Sequence, residues 1–406
     1  MSEADSTFEP APPPLSLGAL FLLFLGFGVR AFGGPVAQIA LLKRELVERD
    51  GWMSTARFNR LLAVMQALPG PEAHELCVHL GMRARGQWGG LLAGLGFMLP
   101  GFVLMLAVSW LYFRLDFDQP WLAAATLGLQ AAVIALIVRA VERIGRHALS
   151  DPWLWALAGL ALVASLLGVS FWIVLGACGG AYALIRMGRR TGAVAVLVLA
   201  AGLALLTAGQ ADGLAGPPAG GVSSPASPWL LFLAGLKAGL LTFGGAYTAI
   251  PFVRADTVER SWISEGQFLD GLALSGVLPA PLIIFCTFVG YAAGGLPGAL
   301  LITAGVFLPA FAFSLIFYDR LEAVIETPGL SALLEGVTAG VVGLIAATTL
   351  QLGWRLLAGE GGWPAAAIAL GGLVALHVWR SGWAVPAVLL AGAAAMTALR
   401  LSGVAH

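Results

Sequence analysis

The chain has 406 residues, 59% of them apolar and 11% charged, with a formal net charge of zero. An ordinary soluble domain carries about 25% charged residues, so this composition excludes a soluble globular fold. The neutral total says nothing about partners, and the placement of the charges matters more.

Residues 1–14, MSEADSTFEPAPPP, are acidic and proline-rich and lack a basic n-region. They read as a short disordered tail rather than a cleaved signal. An apolar segment follows and breaks at FGGP, residues 32–35; a second breaks at LPGP, residues 68–71. Gly and Pro interrupt helix hydrogen bonding, so each segment is expected to be a pair of half-helices. Uninterrupted spans are expected near 87–113, 120–141, 152–168 and 171–186. One more apolar segment, 192–208, precedes a Gly- and Pro-rich linker at 209–228.

The pattern then begins again. FGG recurs at 243–245, VERDGW (47–52) is answered by VERSW (258–262), and LPGP by LPAP (278–281). The offset drifts only from 211 to 209, the mark of a duplication. The division is a tail at 1–14, a first repeat at 15–187, a linking span and linker at 188–227, and a second repeat at 228–400. Because lipid forces backbone groups to pair internally, and no barrel-type alternation appears, the spans are helical. Cys77, Cys178 and Cys286 lie in apolar segments and read as packing residues rather than ligands. No metal or cofactor motif is present.

The loops of the first repeat carry Lys43, Arg44, Arg49, Arg57, Arg60, Arg83, Arg85, Arg139, Arg143 and Arg146. Their counterparts in the second carry only Arg254, Arg260 and Arg355. By the positive-inside rule the two copies face opposite ways, with the single extra span turning the second over. The expected fold is an all-α polytopic membrane protein of two inverted-topology repeats with broken re-entrant helices.

Arg30 and Lys237 stand within the membrane, each shortly before an FGG break. A basic side chain at that depth faces a cavity or a partner, or snorkels to an interface. After the four breaks, helices are expected to start at Pro35, Pro71, Ala246 and Pro281, each offering free N–H groups and a positive dipole end. Gly33, Gly34, Gly70, Gly244 and Gly245 would let backbone approach a ligand closely. Gln66, Tyr247 and Thr248 flank the breaks as further donors. Two cations and converging N-termini suit a dianion. Glu72, His74, Glu75 and His79 follow the second break, with Glu72, Glu75 and His79 on one helix face. They could relay protons that drive transport; alternatively Glu72 caps its helix and the others face the cytoplasm near Arg83. There is no Walker A motif, zincin motif or nucleophile elbow, so enzyme chemistry is not expected.

At FGGP, VERDGW, ALPGPEA and GFMLPG the chain resembles the chromate ion transporter family in its long, two-domain form, over about residues 15–400. The resemblance implies efflux of chromate, with sulfate as the structural analogue, across the bacterial inner membrane. It matches Gln66 to the family's Gln before LPGP and keeps Lys237 at a family position. The family often has a basic residue where this chain has Gly26, and Arg30 lies one helical turn further along that face. His74 and Glu75 replace a Gln-Gln pair. The partners implied are lipid and chromate or a sulfate-like dianion, with no nucleic acid and with a homodimer left open. A sulfate or oxyanion importer or exchanger is the alternative within transport.

Overall fold

The computed structural model describes residues 12–67, 70–115, 119–208, 226–243, 245–316, 328–359, 362–379 and 381–403. Within them the chain is helical, and five helices are long and apolar enough to cross a membrane. The first repeat contains α1 (Leu17–Val29), α2 (Gly34–Leu42) continued by a π-helical turn (Lys43–Arg49), α3 (Thr55–Ala67), α4 (Glu72–Tyr112), α5 (Pro120–Ala148), α6 (Pro152–Leu166) and α7 (Phe171–Arg186). Helix α8 (Arg190–Ala208) is the unmatched element between the copies. The second repeat contains α9 (Pro228–Leu240), a 3₁₀ turn (Ala246–Ala249) leading into α10 (Ile250–Thr257), α11 (Glu265–Val277), and a 3₁₀ turn (Leu282–Ile284) leading into α12 (Phe285–Ile316). It ends with α13 (Pro328–Ala358), α14 (Gly362–Val378) and α15 (Ala384–Leu401).

Local chemistry explains the boundaries. Ser16 caps α1, and Asp151 caps α6 by accepting from the Trp153 and Leu154 N–H groups. Ser264 and Gln267 form a reciprocal capping box on α11. The helix starts at the breaks differ between copies: α2 begins at Gly34 and α4 at Glu72, whereas the second copy enters each helix through a 3₁₀ turn. Two expected spans are shorter than a bilayer requires. Helices α6 and α7 have 15 and 16 residues, about 23 Å at 1.5 Å per residue, against a core of about 30 Å.

The duplication is repeated in atomic packing. Within α4 the chain reverses at Arg85 (φ −147°) and Gly86 (φ 62°), and within α12 at Gly294 (φ −154°) and Gly295 (φ 62°). Across the first reversal Gly81 and Gly89 touch: a Cβ on Gly81 would lie 2.4 Å from the Gly89 carbonyl oxygen. Across the second, a Cβ on Gly290 would lie 2.5 Å from the Gly298 oxygen. Each long helix is therefore an antiparallel hairpin whose first leg is almost wholly buried. Helix α1 packs on α4 as α9 packs on α12, and the two long helices pack on each other.

The remaining helices exchange partners between copies. The α6–α7 pair packs on α13 of the second repeat, and the α14–α15 pair on α5 of the first. The copies also differ in one packing contact. Helix α11 packs on α5, but its counterpart α3 makes no comparable contact with α13 among the described residues. The gap between α3 and α13 is a cavity.

Candidate functional site

The four breaks meet in crossed pairs. The Gly70 N–H, at the second break of the first copy, donates to the Thr242 carbonyl beside the first break of the second copy, at 2.8 Å. On the other side the buried Gln38 side chain donates to both Ala31 O and Ala280 O, each at 2.9 Å. Backbone polar groups freed by Gly and Pro are thus satisfied by the opposite repeat, as burial requires.

The cavity, of about 1520 Å³, opens beside this junction. Its walls come from both repeats: α2 and α3 on one side, and the C-terminal half of α5, the start of α13 and the turn before α15 on the other. Arg30, Lys43, Arg44, Arg139 and Arg143 line it against two carboxylates, Glu72 and Glu335. Gly33, Gly245 and Tyr247 bring two of the breaks to its wall.

The expected site residues that the structure describes have definite places. Arg30 ends α1, donates from Nε to Gly26 O at 3.0 Å and lies 5.2 Å over the Phe27 ring. This fixes the guanidinium on the cavity wall. Gly33 is left-handed (φ 88°), and a Cβ there would meet Gly382 Cα at 2.8 Å, because Phe32 stacks on Trp383 and draws the break against that turn. Gly34 (φ 77°) faces open space, and Gly70 (φ 149°) is covered by the Glu75 carboxyl. Gly245 (φ 119°, ψ 162°) adopts a conformation reserved almost wholly for glycine. Tyr247 lies within electrostatic reach of Arg139 and Arg143. Thr248 donates back to Gly245 O at 2.7 Å, so its hydroxyl closes the break. Gly244 and the Gln66 side chain lie outside the described residues.

Lys237 does not line the cavity. Its Nζ is 2.5 Å from Asp256 Oδ2 and 4.6 Å from the centre of the Phe171 ring. Of the acidic and imidazole groups on α4, Glu72 borders the cavity within electrostatic reach of Arg143. His74 is wedged between the rings of Phe307 and Phe311, and Glu75 is fully buried. His79, towards the other end of the same helix leg, feels Arg83 of that leg and Arg57 of α3.

Arg139 and Arg143 were expected in a loop. The structure carries α5 on to Ala148 and places both on its inner face, one turn apart, followed by His147. The four-residue spacing of Arg139, Arg143 and His147 was the signal available in sequence. Gln38 carried no such signal, because its two acceptors lie 7 and 242 residues away.

On the opposite side the same two repeats are latched together. Asp270 on α11 accepts from Gln130 of α5 at 2.8 Å and from the Tyr112 hydroxyl at 2.6 Å. Glu265, also on α11, accepts two bonds from Arg254 of α10, at 2.6 and 3.0 Å, and pairs with Arg355 of α13.

The sequence profile of the chromate transporter family matches residues 18–184 and 229–397. A chromate transport protein of Pseudomonas aeruginosa is 63% identical, over 86% of this chain and 84% of its own. A chromate transport protein of Cupriavidus metallidurans is 30% identical, covering 84% of each chain. A probable chromate transport protein of Synechococcus elongatus is 28% identical over 88% of this chain and 89% of its own. No solved structure matches.

Proposed function

The chain belongs to the chromate transporter family, and from that premise we propose that it exports chromate from the cytoplasm through the basic cavity between its repeats. It is a multi-pass protein of the plasma membrane, the inner membrane in a bacterium. One observation carries the assignment of the site. Arg30, Arg139 and Arg143 converge on a cavity walled by Gly33 and Gly245, two of the helix breaks. The guanidiniums supply charge and planar pairs of donors, and the turns supply close backbone approach, a combination suited to a tetrahedral dianion. Sulfate has that charge and shape and is expected to compete. Lys237 is neutralised by Asp256 and ties α9 to α10 rather than acting as a direct ligand.

The open gap beside α3 and the latched contact beside α11 are two conformations of one repeated unit. Transport then consists of the two repeats exchanging these conformations, which alternately exposes the cavity to each side. The basic loops of the first repeat put the open side in the cytoplasm. Purified protein in proteoliposomes should show saturable flux of radiolabelled chromate, inhibited by sulfate; no saturable flux of either anion would overturn the assignment.

The inverted arrangement predicts that single cysteines at Arg57 and Arg260 react with an impermeant thiol reagent from opposite faces of the membrane. Labelling of both from one face would rule it out.

A further inference from the structure

We infer that Lys43 and His147 form an ion-pair site in the cavity wall that lacks its anion. The transported oxyanion completes it by bridging them, and the α3 side closes only when it is filled. The inference rests on the cavity being an anion site and on the repeats exchanging conformations.

In the second repeat the carboxylate of Glu265, the first residue of α11, holds two cations. It accepts from Arg254 of α10 at 2.6 and 3.0 Å and pairs with Arg355 near the end of α13. Those contacts fasten the start of α11 in the latched conformation. Local marks fix the counterparts in the first repeat. The VER triplets at 47–49 and 258–260 equate Lys43 with Arg254, each four residues before the valine. Ser54 and Ser264 each accept from the N–H three residues on, Arg57 and Gln267, so the residues after them, Thr55 and Glu265, correspond. A Cβ on Gly145 would lie 3.8 Å from Val342, and one on Gly353 would lie 3.7 Å from Ile134. Val342 and Ile134 stand equally far before Gly353 and Gly145, so the contact is reciprocal and sets the register of α5 against α13. His147 and Arg355, each two residues past its glycine, are then equivalent.

The first repeat keeps the basic pair and loses the carboxylate. Lys43 and His147 line the cavity, whereas the counterpart of Glu265 is the exposed Thr55. Taking the first copy into the latched conformation would draw a lysine towards an imidazole with no counter-charge between them. A bridging anion turns that cost into an attraction. No carboxylate of the protein stands in for it. Glu72 and Glu335 border the cavity, but they lie on α4 and in the first turns of α13, away from the position of Glu265. Arg44, beside Lys43, is already paired with Glu45. His147 turns Nδ1 to the Arg143 carbonyl at 3.0 Å, so the ring meets an anion through Nε2. A tetrahedral dianion has oxygens enough to accept from both residues, as the two oxygens of Glu265 do for their arginines. The empty protein then rests with α3 open, and the loaded one closes.

The test puts the missing carboxylate into the protein. Closure is read at Asn59, exposed on the cavity wall, whose counterpart Leu269 is only 4% exposed. Detergent-solubilised Asn59→Cys protein should react readily with a thiol reagent. Sulfate should protect it, and chloride at matched ionic strength should not. Adding Thr55→Glu should slow labelling by about tenfold or more with no anion present, while Thr55→Gln should leave it as in the parent. Thr55 opens α3, where a carboxylate also suits the helix dipole, so the fold should tolerate the change. Lys43→Gln should raise the sulfate concentration needed for protection by about tenfold or more. The same reagent on protein that keeps Asn59 gives the background from the native cysteines. Labelling of Thr55→Glu as fast as the parent, or equal protection by chloride and sulfate, overturns the bridge. So does a parent that binds sulfate without protection. Each of these leaves the transport assignment to stand on chromate flux in proteoliposomes. A parent that binds no sulfate and carries no chromate overturns both.

Discussion

Arg143→Ala is expected to lower the kcat/KM for chromate transport by about 100-fold or more, with the protein still inserted in the membrane. Truncating one partner of a desolvated charge pair costs on the order of 3–5 kcal/mol, and each 1.4 kcal/mol is tenfold. The open mouth of the cavity admits water and screens part of this, so the lower end applies. Arg143→Lys keeps the charge but loses the planar pair of donors and should recover part of the activity. Arg146 is the control. It lies one turn away, faces solvent and pairs with Glu142, with 72% of its side chain exposed, so its alanine variant should change transport less than about twofold. Equal losses at Arg143 and Arg146 would show that the cavity arginines act only through loop charge and topology. The measurement is initial chromate flux in proteoliposomes, normalised to reconstituted protein.

Much of this architecture was legible because Gly and Pro act locally. FGGP and LPGP interrupt a helix whatever surrounds them, so the broken segments and their duplication could be read directly. The arginines of α5 could not. Ending a span at residue 141, just before Glu142 and Arg143, assumes that the apolar environment stops there, but here the helix borders a cavity lined by Arg139 and Arg143 and continues to Ala148. Lys237 shows a second limit. Its distance from the FGG break suggested a ligand role, yet its partner Asp256 comes from α10, 19 positions on, across a fold that local pattern does not specify. The glycines show a third. Gly34 and Gly245 were identifiable as special, but their positive φ angles mean that alanine there strains the backbone as well as blocking a ligand. Finally, both repeats carry the same breaks, and nothing in that pattern says which copy stands open.

That last point leads to the second large effect. Cysteines at Gln130 and Asp270, joined by a short bifunctional thiol reagent, are expected to stop transport completely, and reduction of a cleavable reagent should restore it. The physical reason lies in the contrast between copies. In the second, Asp270 ties α11 to α5 through Gln130, and the Glu265–Arg355 pair ties α11 to α13. In the first, α3 is separated from α13 by the cavity, with Asn59 and Leu62 on one wall and Glu335 and Thr338 on the other. If the repeats exchange conformations, α11 must leave α5 once in every cycle. A hydrogen bond that contributes about 1 kcal/mol net is readily broken during turnover, whereas a covalent bridge is not. The native Cys77, Cys178 and Cys286 are free, so the control is the same reagent on protein that keeps Gln130 and Asp270, whose flux should be unchanged. A cross-linked protein should still bind chromate from the α3 side, because that vestibule is already open. Binding retained with flux abolished is the signature of an arrested exchange. Full flux through the cross-linked protein would mean that α11 never moves, and that the cavity beside α3 reaches the far side of the membrane by another route.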